Sequence, residues 1–169
     1  GGVYYFKDKT SVDGYLASDL WKGIVSHPNL VNFETESYSV AAISAVSNGF
    51  ADKRKVINSV EKNTAHQLFI VNYGLSEMSL AEHAQLGVDV VGNFAPGKIK
   101  GLIGKTFIGN LEKKVFGGVY YFTDKASVEA YLASDLWKGI VSHPNLVNFK
   151  NERYTIAPIS SISNGLPSL

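Results

Sequence analysis

GGVYYFKDKTSVDGYLASDLWKGIVSHPNLVNF fills residues 1–33, and GGVYYFTDKASVEAYLASDLWKGIVSHPNLVNF fills residues 117–149. The correspondence extends over residues 1–49 and 117–165, which differ at 12 of 49 aligned positions. Tyr15–Phe33 and Tyr131–Phe149 match without a break. Two segments this alike predict one shared conformation. Residues 50–116 separate them, so the chain holds one and a half tandem units of about 116 residues each.

Within each copy the pattern reads strand–helix–strand. GVYYF (Gly2–Phe6) is an aromatic and β-branched run between Gly-Gly and the polar KDKTS, which predicts a strand. Asp8 is a helix N-cap, followed by an apolar stripe at Val12, Tyr15, Leu16, Leu20 and Ile24, and Pro28 ends the helix. Tyr38–Val46 leans to β structure again. Residues 50–65 are charged, lack an apolar period and read as a linker. His66–Tyr73 predicts a strand, Ser79–Val91 a helix capped by Ser76 or Ser79, and Leu102–Ile108 a second strand. Residues 1–49 are thus a half unit and residues 66–169 a complete one, in the order β-α-β-β-α-β. That order specifies an α+β, ferredoxin-like split βαβ fold with an antiparallel sheet and both helices on one face.

The 169 residues are 45% apolar and 18% charged, with a formal net charge of +1. This balance argues for a packed core and against bulk attraction to nucleic acid or an acidic membrane. The absence of cysteine excludes disulfides, thiolate nucleophiles and cysteine-ligated metals. No apolar run approaches membrane-spanning length, and no signal-peptide pattern is present, so the chain reads as soluble and cytoplasmic. The strands are apolar in both parities: Leu68 and Ile70 against Phe69 and Val71, Val119 and Tyr121 against Tyr120 and Phe122. A sheet wet on one side alternates instead. A second sheet is therefore expected over the helix-free face, giving a homo-oligomer by sheet-to-sheet packing, and the unpaired half unit is expected to exchange with a partner chain.

Residues 101–132 (GLIGKTFIGNLEKKVFGGVYYFTDKASVEAYL) resemble the YdhR-type monooxygenase family, whose members carry GG-[IV]-Y-x-F-T-D before a Ser/Ala-rich helix ending in A-Y-L. The resemblance covers residues 66–165, and residues 1–49 by repetition. It implies a dimeric α+β barrel, in a superfamily that includes antibiotic-biosynthesis and haem-degrading monooxygenases. Some of those relatives oxidise aromatic, polyketide-like molecules with dioxygen and no metal or flavin. It also places Asn72 where such enzymes have a functional Asn and Trp137 at an aromatic position of the helix. A haem-ligand His would fall at Val141, whereas His143 projects elsewhere around the helix, which disfavours haem.

The expected site combines catalytic Asn72, Tyr120, Tyr121 and Trp137 with substrate-binding Ile70, Lys105, Phe107, Tyr4, Tyr5, Trp21 and His143. Adjacent tyrosines put one phenol on each face of a strand, where a phenol orients a substrate hydroxyl or fills space. Lys105, alone among apolar residues, stabilises an enolate or snorkels outward. The tryptophans stack a flat substrate or fill the core; His27 and His143 cap helices or move protons. No metal, phosphate-loop or acyl-transfer motif occurs, and no cofactor is expected. The expected activity is cofactor-independent monooxygenation of an apolar or aromatic small molecule. The alternatives are a non-catalytic binding or assembly-forming barrel and a polyketide cyclase, which needs a tyrosine beside His66 or His83.

Overall fold

The computed structural model describes residues 2–47 and 66–157. The expected linker at 50–65 and the end of the second repeat copy lie outside the described residues. The chain forms two compact units, Gly1–Ser37 and Tyr38–Leu169. The boundary differs from the expected half unit of 1–49, because residues 38–47 belong with the larger unit.

In the smaller unit, α1 spans Lys9–Ala17 and α2 spans Asp19–Val25. The apolar stripe predicted one helix here, but Ser18 interrupts it at φ −70° and ψ 154°. The Ser18 hydroxyl accepts a hydrogen bond from the Trp21 amide, so it starts the second helix where the first stops. Asp8 caps α1 through the Ser11 amide, as expected. Gly2–Phe6, expected as a strand, forms none.

In the larger unit, β1 (Ser39–Val40) leads into a 3₁₀ turn, Ala42–Ala45, so only two residues of the expected Tyr38–Val46 strand are extended in the sheet. Then follow β2 (Gln67–Leu75), α3 (Leu80–Val91), β3 (Leu102–Asn110), β4 (Val115–Phe122), α4 (Lys125–Ala133), α5 (Asp135–Val141) and β5 (Leu146–Thr155). Ser79 and Glu82 close a capping box at the start of α3. Ser134 divides α4 from α5 as Ser18 divides α1 from α2.

The sheet order is β1-β3-β4-β2-β5, with every neighbouring pair antiparallel. β2 to β5 alone follow the ferredoxin-like order, so the unit is an α+β fold with one open five-stranded sheet. The second copy supplies β4 and β5 on either side of β2. The first copy supplies only β1, along the outer edge of β3, where Ser39 faces Gly109 and Val40 faces Ile108.

Both sheet faces are apolar; the helix-covered one is buried and the other partly so. On one face Phe69, Val71, Tyr120 and Phe122 pack with Val128, Tyr131 and Trp137 of α4 and α5. On the other Leu68, Ile108 and Val119 pack with Tyr38, Ile70, Tyr121 and Ile156. Removing each such side chain from water contributes about 1.5–3 kcal/mol.

Candidate functional site

The Gly-Gly of GGVYYF determines what β4 can approach. A Cβ at Gly117 would overlap the Val71 carbonyl and stand 2.9 Å from Asn72 Oδ1. A Cβ at Gly118 would stand 2.9 Å from the Tyr120 ring and 3.0 Å from Lys105 Cε. Two bare positions therefore let β2 lie close on one side and the Lys105 side chain lie flat on the other.

Lys105 faces Tyr120 across β3 and β4 and is buried on the helix-covered face. Its Nζ lies 3.4 Å from the centre of the Phe94 ring, 3.9 Å from that of Phe107 and 4.7 Å from that of Tyr120. Burial holds its ammonium well below the usual lysine range. The ring faces offset only part of that desolvation. The first copy fixes this position from outside: the Lys105 amide donates to the Ser47 carbonyl at 2.8 Å, and the Ser47 hydroxyl donates to the Lys105 carbonyl at 2.6 Å. The Phe107 amide donates to the Ser44 hydroxyl at 2.9 Å.

Tyr73 and His83 form the second polar element of this layer. Tyr73 lies on β2 at the bulge against β5, and His83 lies in the first turn of α3. Tyr73 Oη and His83 Nε2 share a hydrogen bond of 3.0 Å. The imidazole rests on Phe116, 4.5 Å between ring centroids, and Tyr73 tilts against Phe149 at 5.4 Å. Burial pushes the Tyr73 phenol up to about 12 and lowers the His83 imidazole below its ordinary value. Position near a helix N-terminus also disfavours an imidazolium. The pair thus presents a protonated phenol and a neutral imidazole. Sequence reading named His83 only as one of two conditional partners and left Tyr73 out; the pairing joins residues of different elements across a loop.

The expected site residues divide between the two faces. Tyr120, Trp137, Lys105 and Phe107 lie on the helix-covered face, whereas Ile70, Asn72 and Tyr121 project from the opposite one. Neighbouring strand residues point to opposite faces, so Asn72 and Trp137 stand on different sides of the sheet. Asn72 Oδ1, the Tyr131 hydroxyl and both ring nitrogens of His66 are buried with no hydrogen-bond partner among the described residues. Tyr120 is enclosed by Phe69, Phe94, Phe122 and Tyr131, and burial, followed by the nearby phenols, drives its phenol well above the ordinary range. Trp137 packs edge-on to Phe69 at 5.4 Å. His143 accepts at Nδ1 from the Asn145 amide, 3.2 Å away, and so shapes the turn after α5. Tyr4, Tyr5 and Trp21 belong to the smaller unit. Among the described residues, no group of three His, Asp or Glu side chains is placed to hold a metal ion, and no helix is long and apolar enough to cross a membrane.

The fold and this layer define an α+β protein whose ferredoxin-like sheet carries a phenol–imidazole pair and a caged lysine between sheet and helices. The family model described as "Putative mono-oxygenase ydhR" matches residues 68–166, more than half of the chain, and the chain belongs to that family. No curated protein and no solved structure matches it.

Proposed function

We propose that the chain is a monooxygenase that oxidises an electron-rich aromatic or polyketide-like phenol with dioxygen, the substrate supplying the electrons. The Tyr73–His83 pair carries this reading. It offers a base that is neutral at physiological pH, hydrogen-bonded to a phenol and set among aromatic rings. His83 takes the phenolic or enolic proton of the substrate, and the resulting anion passes electrons to dioxygen. One oxygen atom enters the ring and the other leaves as water with two substrate hydrogens, so a phenol plus O₂ gives a quinone plus H₂O. Tyr73 steadies the imidazole and returns a proton to the departing oxygen. Lys105 stands in the same layer as an amine that accepts a proton when an anion forms nearby.

Dioxygen uptake with a panel of polycyclic phenols tests the reading. Under isotopically heavy dioxygen, one labelled atom is expected in the quinone, with the rate lost in His83→Asn. No uptake across the panel, or uptake indifferent to His83, overturns it. The same pair also favours a second reading, a ring-closing cyclase, because proton transfer alone suffices there. Product formed equally well without dioxygen selects the cyclase. Ligand-induced thermal stabilisation without turnover selects the non-catalytic binding barrel. A homo-oligomer through sheet-to-sheet packing accompanies the proposal, with light scattering as its measure.

A further inference from the structure

Lys105 is the only lysine or arginine buried among the described residues, and aromatic rings surround its head. Phe94 comes from the turn after α3, Phe107 from β3 and Tyr120 from β4, so three separate elements converge on one amine. Among the described residues no carboxylate forms an ion pair with it. Its other neighbours fix the stem and leave the head alone. Gly118 gives the stem room, since a Cβ there would stand 3.0 Å from Cε, and Ser47 engages both backbone groups of Lys105. An ammonium at Nζ would exchange its hydration shell for ring faces that return only part of that energy, so the neutral amine is favoured. A neutral amine keeps its lone pair and is a nucleophile, which an exposed ammonium is not.

We propose that Lys105 is a carbonyl-reactive amine that forms an imine with an uncharged aromatic or conjugated aldehyde. Nζ adds to the carbonyl carbon, so a C–N bond forms as the C=O bond breaks. The two amine hydrogens pass to the carbonyl oxygen, which leaves as water, and neither an oxidant nor a reductant is consumed. The surroundings select the ligand. Phe94, Phe107 and Tyr120 offer flat apolar walls to an aromatic aldehyde. No second lysine or arginine is buried among the described residues to receive a carboxylate or phosphate, so an anionic aldehyde would lose its hydration without a partner. Phe94 is the wall that turns aside to admit the ligand: it sits on the single turn Gly92–Phe94 beside the exposed residues 96–98, whereas Phe107 and Tyr120 are held in the sheet. The reaction needs neither dioxygen nor His83, so it stands or falls separately from the oxidation proposed above.

The test incubates the full chain at pH 7 with benzaldehyde and cyanoborohydride, which reduces imines and leaves aldehydes, and maps the benzylated lysines by peptide mass spectrometry. Lys105 is expected to label about 10-fold faster than the exposed Lys22 and Lys138, because a lysine in water holds its proton at this pH. Between pH 7 and 8 the ratio of Lys105 to Lys22 labelling is expected to fall about tenfold, as exposed amines gain free base and the buried one does not. With 4-carboxybenzaldehyde, the same ring bearing a carboxylate, that ratio at pH 7 is expected to be about 10-fold lower than with benzaldehyde. Equal ratios for the two aldehydes overturn the uncharged ligand class. Lys105 unlabelled in the folded chain, or labelled at a constant ratio to Lys22 across this pH range, overturns the proposal. So does labelling of Lys105 that appears only in urea concentrations that unfold the chain.

Discussion

Phe69 meets Trp137 edge to face, with 5.4 Å between ring centroids and 75° between planes. Phe69 also touches Tyr120 and Tyr131, so one β2 side chain links β4, α4 and α5. It is wholly buried. Phe69→Ala is expected to destabilise the larger unit by about 3–5 kcal/mol, the transfer loss plus the cavity left behind. Urea unfolding followed by tryptophan emission measures it.

Lys105 places a titratable amine among Phe94, Phe107 and Tyr120. Its folded-state pKa lies well below 10.5, so from that lowered value up to about 10.5 the unfolded chain binds more protons. Stability therefore rises with pH across this window and falls as pH drops through it. Lys105→Met is expected to raise Tm at neutral pH by about 4–8 °C, equivalent to roughly 1 kcal/mol. The gain should shrink toward pH 10.5, which a series of thermal melts checks.

His83 holds its proton less tightly than the ordinary 6.5 because it is partly buried. The basic form that accepts a substrate proton is therefore retained below pH 6.5, and the acid limb of kcat/KM is expected below that value. The unfolded state binds more protons near this pH, so stability also declines as pH falls through the lowered value. His83→Asn should remove the limb and reduce turnover about 100-fold or more. Tyr73→Phe should keep the limb, since it leaves the base in place, while lowering kcat.

Asn148 adopts φ 57° where β5 bulges against β2 between Asn72 and Gly74. Left-handed backbone disfavours a Cβ-bearing residue by about 1–2 kcal/mol, and Asn tolerates it better than most. Asn148→Ala is expected to destabilise the larger unit by about 1 kcal/mol, whereas Asn148→Gly should leave its urea midpoint near that of the parent.

The helices, their caps and the serine breaks at Ser18 and Ser134 are nearly the same in both copies, because each is closed by bonds within a few residues. The left-handed Asn32 and Asn148 are likewise local. The strand–helix alternation and the apolar parity of β2 and β4 were also legible, and with them the ferredoxin-like order. The identical GGVYYF runs show where local information stops. The second is the core of β4 because β2 and β3 flank it, while the first forms no strand among the described residues. The site divides similarly. Alternation along β2 separates Asn72 from the Trp137 side once the sheet exists, and the meeting of Tyr73 with His83 depends on how α3 packs back over β2. Sequence alone determined what nearest neighbours can satisfy; tertiary structure decided every feature whose hydrogen bonds or buried area come from a distant segment.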